Sequence, residues 1–236
     1  MKVRSMVGYL LSLPKTIYFN LRVFDFHTAL KFPCIVNYNV EFGCLHKGCI
    51  VLDSENIKPA MILLGCSGGS PGVFTGESPR VKCGGFIGVK PESKIVFHGR
   101  ARLEKGFSLK ADGGGTIELG NNFSANSYFF ASANDLIKIG DDAVIGWNVS
   151  IRDVDGHCIY QKDDPNQKQI NLNRAVHIGS HVWVAAKVDI LKGTTIPDNS
   201  VVAYGTLLTG NKFTERNCII GGTPARIIKE NINWKK

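Results

Sequence analysis

The sequence predicts an all-β protein built as a parallel β-helix, a coil of short strands stacked through parallel pairing. Three observations predict it: an aliphatic residue every six positions, a small or β-branched residue four places later, and 26 glycines in 236 residues, as many tight turns require. An amphipathic helix would place apolar residues three and four positions apart, and a hairpin sheet would alternate every two. A six-residue period suits a short strand and a sharp corner, so three units make a triangular coil of about eighteen residues.

Residues 1–30 are predicted to be a helical segment outside the repeat. Pro14 and Lys15 cut the apolar run of this segment at about seven residues, far too short to span a bilayer. No small-x-small cleavage site follows, which argues against a secretory signal. We expect a short amphipathic helix over residues 3–26 that packs on the body of the protein, and contact with a membrane surface is the alternative.

Residues 31–220 are predicted to form the β-helix. The clearest units are IGDDAV, IGWNVS and IRDVDG from residue 139, followed after a gap by IGSHVW, VAAKVD and ILKGTT from residue 178. Each unit opens on an aliphatic residue that should point into the core: Ile139, Ile145, Ile151, Ile178, Val184, Ile190, Ile196 and Val202. Between residues 37 and 115, turn-rich stretches such as GCSGGSPGVFTGESPR blur the register, and we interpret them as coils with insertions.

Two segments depart from the repeat. A polar excursion over residues 157–177 interrupts it, and we expect this loop to protrude from a corner and to wall a cleft. Residues 221–236 contain GGTPAR followed by IIKE, which predicts a turn and a short basic helix. That helix would cap the open end of the coil, where strand edges are otherwise unpaired.

Composition narrows the classes of function. The net charge of +8 permits anionic partners, although a solvated basic surface is the first explanation for most of the lysines and arginines. We expect no nucleic-acid partner, since neither an aromatic platform nor a known motif accompanies the charge. Seven cysteines, an odd number without zinc-site spacing, indicate reduced thiols and therefore a cytoplasmic protein.

An ordered set of motifs resembles the hexapeptide-repeat acyltransferases, in particular the galactoside and maltose O-acetyltransferases and the sugar O-acetyltransferases of capsule and lipopolysaccharide synthesis. The motifs are IELGNNFSAN, IKIGDDAVIGWNVSI, DVDGH, HIGSHVWVAAKVDILKGTTIPDNSVVAYGT and GGTPARIIKE, over about residues 117–231. The resemblance implies a left-handed β-helix, a homotrimer with active sites between subunits, acetyl-CoA as donor and a sugar acceptor. The first third lacks the helical substrate-binding segment of the galactoside enzymes, which leaves the acceptor sugar open.

His157 is the candidate general base, because a neutral imidazole can take the proton of a sugar hydroxyl as its oxygen attacks a thioester. The resemblance supports this role, since the family's catalytic histidine follows a glycine at the same point. Asp155 is the candidate catalytic partner that would orient the imidazole. Asp153 is the candidate sugar-binding carboxylate, and for both aspartates the alternative is a turn before Gly156.

The other site residues follow from the resemblance. Asn126 matches a family asparagine near the reacting acetyl group, with an ordinary corner asparagine as the alternative. Asn134 occupies a substrate-binding position that is acidic in the galactoside enzymes. The implied acetyl-CoA contacts are Ala186, Tyr204, Thr209, Arg226 and Lys229, the last two facing the phosphates. Tyr204 and Gly210 depart from the usual alanine and lysine, and Trp183 is expected to pack at the subunit junction.

The sequence therefore predicts an acetyl-CoA-dependent sugar O-acetyltransferase of surface polysaccharide synthesis that needs no metal. Two alternatives remain. One is a zinc enzyme of the γ-carbonic anhydrase type that would use His157, His177 and His181 as ligands. The hexad register argues against it, because His177 and His181 would not share a face. The other is a non-catalytic β-helix for binding or assembly.

Overall fold

The computed structural model describes residues 3–66 and 82–236, and these ranges contain two helices and 22 short strands. Helix α1 (Val3–Val23) and helix α2 (Phe26–Ala29) come first, and the strands follow, numbered in chain order. Most of the turn-rich stretch between residues 65 and 80 lies outside the described residues, so its interpretation as an insertion stays a prediction.

The strands form three sheets around one core. Sheet A contains β1 (Cys34–Val36), β4 (Ile62–Leu64), β7 (Ala101–Leu103), β10 (Phe123–Ala125), β13 (Val144–Ile145), β16 (Trp183–Val184), β19 (Val201–Val202), β21 (Ile219–Gly221) and β22 (Arg226–Lys229). Sheet B contains β2 (Val40–Phe42), β5 (Gly85–Val89), β8 (Phe107–Ala111), β11 (Phe130–Ala133), β14 (Ser150–Arg152), β17 (Asp189–Leu191) and β20 (Leu207–Thr209). Sheet C contains β3 (Ile50–Leu52), β6 (Lys94–Phe97), β9 (Thr116–Leu119), β12 (Leu136–Ile139), β15 (Val176–Ile178) and β18 (Thr195–Ile196).

Strands of one sheet pair in parallel with the strand one coil away, so Ala125 pairs with Ile145 and Ile145 with Val184. The chain passes from sheet A to B, from B to C and from C back to A, and we call these turns the AB, BC and CA corners. The predicted fold class, an all-β left-handed parallel β-helix behind an N-terminal helix, is confirmed. The eight aliphatic openers are all buried, as the repeat requires.

The sharp corners need left-handed backbone, which asparagine and aspartate tolerate better than most residues. At the CA corner, successive coils place Asn122, Asp142, His181, Asn199 and Asn217 in this conformation, with φ between 53° and 58°. This requirement explains why polar residues recur at fixed points of the repeat without forming a functional cluster.

Helix α1 closes the first end of the β-helix. Its buried stripe is partly polar: Thr16 Oγ1 accepts from the amide of Val36 at 3.0 Å, and Asn20 Oδ1 accepts from the amide of Cys34 at 3.2 Å. Asn20 Nδ2 also donates to the carbonyl oxygen of Cys34 at 2.8 Å. Side chains of α1 thus form hydrogen bonds with the backbone groups that β1 would leave unpaired at the edge of sheet A. The predicted N-terminal helix is confirmed, with Pro14 on its exposed side.

Neither helix in the described part of the chain has the length and apolarity needed to cross a bilayer.

The predicted C-terminal capping helix is wrong. Residues Arg226–Lys229 form β22, which pairs antiparallel with β21 and closes the last edge of sheet A. The two isoleucines of this segment favour a strand, and pairing satisfies the open edge directly. The residues beyond run back along the CA corner: the indole of Trp234 donates to the carbonyl oxygen of His181 at 2.9 Å, and its ring stacks on the imidazole with centroids 4.3 Å apart.

Candidate active site

The excursion that carries His157 leaves the regular wall at the BC corner, between β14 and β15. The His157 side chain is exposed at a cavity of about 250 Å³. Polar residues make up most of the cavity lining: Asn134, Asp155, His157, Gln169, Asn171 and Asn173, with Val154, Gly156 and Cys158. An exposed imidazole in a polar concavity can take a proton from a bound hydroxyl group.

Contacts from Asp155, Asn171 and Lys192 hold the backbone around His157. The Asp155 carboxylate accepts from Lys192 Nζ at 2.5 Å and from Asn171 Nδ2 at 2.9 Å. Asn171 Nδ2 also donates to the carbonyl oxygen of His157 at 2.8 Å, and Lys192 Nζ donates to the carbonyl oxygen of Asn171 at 2.9 Å. The hydrogen bonds from Lys192 and then Asn171 lower the pKa of Asp155, which therefore stays a carboxylate.

Asp155 was expected to bond to the imidazole, yet in the described residues it bonds to Lys192 and Asn171, and the imidazole has no hydrogen bond there. The carboxylate therefore acts on the loop that carries His157. Lys192 and Asn171 were not among the predicted site residues. Lys192 lies 37 positions from Asp155, so only the coil geometry reveals the pair.

Asp153 lies inside the BC corner and is fully buried. Its two carboxylate oxygens accept from the amides of Asn134 and Asp135, each at 2.8 Å. Burial raises the pKa of Asp153, although these amide bonds act in the opposite direction. The predicted sugar-binding role of Asp153 is therefore wrong, because a fully buried carboxylate cannot touch a ligand. The carboxylate does not cap the turn before Gly156 either; it holds the BC corner of the preceding coil, where Asn134 lies at the rim of the His157 cavity.

A second group of predicted residues lies at the AB corner. Asn126 directly follows β10, and on later coils Ala186 and Tyr204 stack there, linked by the hydrogen bond from the Gly205 amide to the Ala186 carbonyl oxygen. Arg226 reaches the C-terminal end of this corner through its pairing with Gly221. Asn126, Ala186, Tyr204 and Arg226 thus form one line along the AB corner.

Two unpredicted residues join that line. The ammonium group of Lys187 lies 5.3 Å from the ring centroid of Trp147 and 5.6 Å from that of Tyr204. The two rings meet edge to face with centroids 6.2 Å apart. The exposed Tyr204 is therefore part of a cation–aromatic cluster at the AB corner. The sequence did contain a signal for this cluster, because Trp147 and Tyr204 occupy the same hexad position as Ala186.

Thr209 and Lys229 are less central. Thr209 pairs with Leu191, the residue before Lys192, and so lies on the BC side with the His157 loop. Lys229 pairs with Ile219 and is exposed at the far end of β22, on the CA side of sheet A.

The two corners are on opposite sides of sheet B. From the AB corner at Tyr128 to the BC corner at Asn134 the chain crosses β11, roughly 20 Å for six residues at about 3.3 Å each. The predicted site residues of one chain therefore lie in two separate groups, and we call the group with Asn126 the AB half-site and the group with His157 the BC half-site. A site that contains both residues requires a second copy of the chain.

The histidines of the zinc alternative do not converge within one chain. His157 lies on the BC excursion, whereas His181 lies at the CA corner, where its Nδ1 is 3.1 Å from Asn199 Oδ1. His177 is on β15, and its backbone pairs with Lys138 and Thr195. Corner geometry and packing on Trp234 account for His181 without a metal.

The chain resembles known proteins in sequence and in structure, although no protein-family model matches it. It is 32% identical to WbbJ of Escherichia coli K12, which is assigned as a lipopolysaccharide biosynthesis O-acetyl transferase. The alignment of 160 residues covers 63% of the chain and 80% of that protein. It is 33% identical to the galactoside O-acetyltransferase of Escherichia coli K12. This alignment of 117 residues covers half of the chain and only 55% of the length of that enzyme. Among solved structures, the polysialic acid O-acetyltransferase OatWY matches with a TM-score of 0.51 and 25% identity, over 86% of the chain and 87% of that structure.

Proposed function

The chain belongs to the hexapeptide-repeat acetyltransferase family, and from that premise we propose that it transfers an acetyl group from acetyl-CoA to a sugar hydroxyl during surface polysaccharide synthesis. The observation that carries the proposal is the break in the coil that presents His157 beside Asn134 in a polar cavity. The relatives described above are named for transfer to galactosides, polysialic acid and lipopolysaccharide, which supports a carbohydrate acceptor.

The proposed step uses His157 as general base. The imidazole takes the proton of the acceptor hydroxyl as the hydroxyl oxygen attacks the thioester carbon of acetyl-CoA. The carbon–sulfur bond then breaks, and the imidazolium returns the proton to the CoA thiolate. The bonds among Asp155, Lys192 and Asn171 support this step by fixing the backbone from which the imidazole projects.

Asn126 is proposed to donate its amide to the developing oxyanion or to a sugar hydroxyl. Because Asn126 and His157 lie at different corners, we propose that the AB half-site of one subunit meets the BC half-site of the next in a homotrimer. Sheet B, which joins the two half-sites, would then face the threefold axis. Half-buried Phe86 and Phe130 on its outer surface, with Lys110 Nζ 5.6 Å and 5.7 Å from their ring centroids, suit a subunit contact.

Acetyl-CoA is proposed to lie along the AB corner. Backbone groups near Ala186 and Tyr204 would hold the pantetheine, and the exposed guanidinium of Arg226 would meet a phosphate. Thr209 and Lys229 are proposed as outer contacts of the donor, Thr209 from the neighbouring subunit. Lys187, held over Trp147 and Tyr204, adds a positive charge to the same line.

We also propose peripheral contact between α1 and a membrane, on the cytoplasmic side where acetyl-CoA is made. The outward side of α1 exposes a continuous set of apolar residues: Val7, Leu10, Leu11, Leu13, Ile17, Tyr18 and Leu21. No acidic residue occurs before Asp25, whereas four basic residues do, which suits an anionic lipid surface. The thiols of Cys34, Cys49, Cys66 and Cys218 are free and buried, as a reducing compartment allows.

The test of the proposed activity is CoA release from acetyl-CoA in the presence of a panel of sugars and oligosaccharides. The His157→Ala variant should lose about 100-fold or more of the turnover that a parent acceptor supports. His177→Ala is the matched control, because it removes an exposed histidine from a strand of sheet C and should leave turnover unchanged.

Arg226→Ala should raise the KM for acetyl-CoA more than it lowers turnover, since the guanidinium is proposed to bind a phosphate remote from the reacting carbon.

Full activity of His157→Ala would overturn the mechanism. Absence of CoA release with every acceptor, despite acetyl-CoA binding, would favour the non-catalytic alternative.

A further inference from the structure

A second cavity, of about 510 Å³, lies on the outer face of sheet A beside the CA corner. Its floor is formed by β4, β7 and β10, where the half-buried Leu63 and the largely buried Met61 contribute apolar surface. The cavity is lined by four basic residues: Lys58, Arg100, Arg102 and Lys236. The site therefore combines an apolar floor with a positively charged rim.

No ion pair among the described residues neutralises the positive charge of this rim. None of the lining residues is acidic, and none of the four cations forms an ion pair with another residue that the structure describes. Asp142, at the CA corner, is the acidic residue that acts on Lys236, and its carboxylate accepts from Asn122 at 2.6 Å. Burial lowers the pKa of Lys236, Asp142 acts in the opposite direction, and Arg102 adds a smaller lowering. Such a cluster favours an anionic ligand.

The cavity leads toward the AB half-site. Ser124 is part of the cavity lining, and Asn126 lies two residues further along the same coil, roughly 7 Å away at about 3.3 Å per residue. The CA corner is the corner opposite sheet B, so it would face outward in the proposed trimer. A long ligand could therefore rest in the cavity while one of its units reaches Asn126.

We propose that this cavity binds carboxylate groups of an acidic polysaccharide acceptor and holds the chain while one sugar is acetylated, an inference that rests on the proposed function. The guanidinium groups of Arg100 and Arg102 match carboxylates in shape and charge. The apolar floor suits the C–H faces of sugar rings. Phe123 is only 1% exposed and presents no ring on which a nucleobase could stack, which argues against a nucleic acid.

The test is direct binding of a fluorescein-labelled oligogalacturonate, followed by fluorescence anisotropy without acetyl-CoA. The parent should bind, and binding should weaken as salt is raised, because the contacts are between exposed charges. The Arg100→Ala, Arg102→Ala double variant should bind at least about tenfold more weakly. Lys94→Ala, Lys212→Ala is the matched control: it removes two exposed charges from the sheet C side and should change affinity less than about twofold.

A neutral maltooligosaccharide of equal length should not displace the probe. The inference is overturned if the parent does not bind the probe, if the arginine variant binds as tightly as the parent, or if the neutral sugar competes equally. If the arginine variant fails to fold, Lys58→Ala, Arg102→Ala replaces it. Binding is measured without turnover. If the chain binds the probe but transfers no acetyl group, the proposed activity is refuted and the proposed binding site is not.

Discussion

The division of the site between two corners predicts that inactive variants restore each other when mixed. His157→Ala should lose about 100-fold or more of its activity through loss of the base, and Asn126→Ala a comparable factor through loss of an oxyanion donor. Each active site would take its AB half from one subunit and its BC half from the next. A trimer that contains both variants has one junction of three in which both halves are intact, whichever variant is in excess, so about a third of the sites recover in the purified mixed rings.

The assay is acetyl transfer after the two variants are co-expressed with different affinity tags and purified through both. The control mixes His157→Ala with a double variant that carries both substitutions, because no BC half-site is then intact and activity should stay at background. No recovery in the first mixture, although mixed rings are isolated, would show that Asn126 and His157 do not serve one shared site. That result would refute the assignment of the two half-sites.

Three further predictions concern the scaffold and the loop. Asn20→Ala should lower the free energy of unfolding by about 2–4 kcal/mol, since Cys34 loses buried partners for its amide and carbonyl, whereas Leu10→Ser should change it little; equal urea midpoints would contradict this. Asp153→Ala should cost about 2–4 kcal/mol by the same measurement, because two amides of the BC corner lose their acceptor. Lys192→Met should lower kcat while barely moving the urea midpoint. The pKa of Asp155 is lowered from its ordinary value of 3.8 by the contact with Lys192. The stabilisation of the loop by this contact is therefore complete above pH 3.8 and is lost as the pH falls through the lower folded pKa. The ratio of kcat between parent and variant should accordingly stay constant between pH 5 and pH 9.

The sequence revealed the fold where the repeat is regular. From residue 139 onward each coil is built from hexads with few insertions, so the buried positions could be assigned by counting. Earlier coils are less regular, with strands of up to five residues such as Gly85–Val89, and their turns differ in length. The C-terminal strand was missed because IIKE has no periodicity of its own, and only the open edge of sheet A decides between strand and helix.

The candidate site was predictable in part for a related reason. His157 stands where the hexads break, so its projection follows from sequence. Its surroundings do not: Asp155 and Lys192 are separated by the excursion, and their distance depends on how that loop folds back. The buried position of Asp153 was likewise hidden, because an aspartate shortly before a turn resembles a turn residue and a ligand equally.

Both ends of the coil are closed by segments that do not repeat, α1 on β1 and β22 on β21. Each closing segment contacts mainly the coil beside it, and the coils between satisfy one another. A duplication of one internal coil of about eighteen residues would therefore lengthen the molecule by roughly 4.8 Å and leave the contacts of α1 and the pairing of β22 intact. Between Asn122 and Asn217 it would also shift the residues after β22 along the CA corner, because Trp234 contacts His181 and Lys236 contacts Asn122 there. The distance between the N-terminal helix and the C-terminal residues proposed to bind the donor can therefore change in steps of whole coils, during evolution or by design.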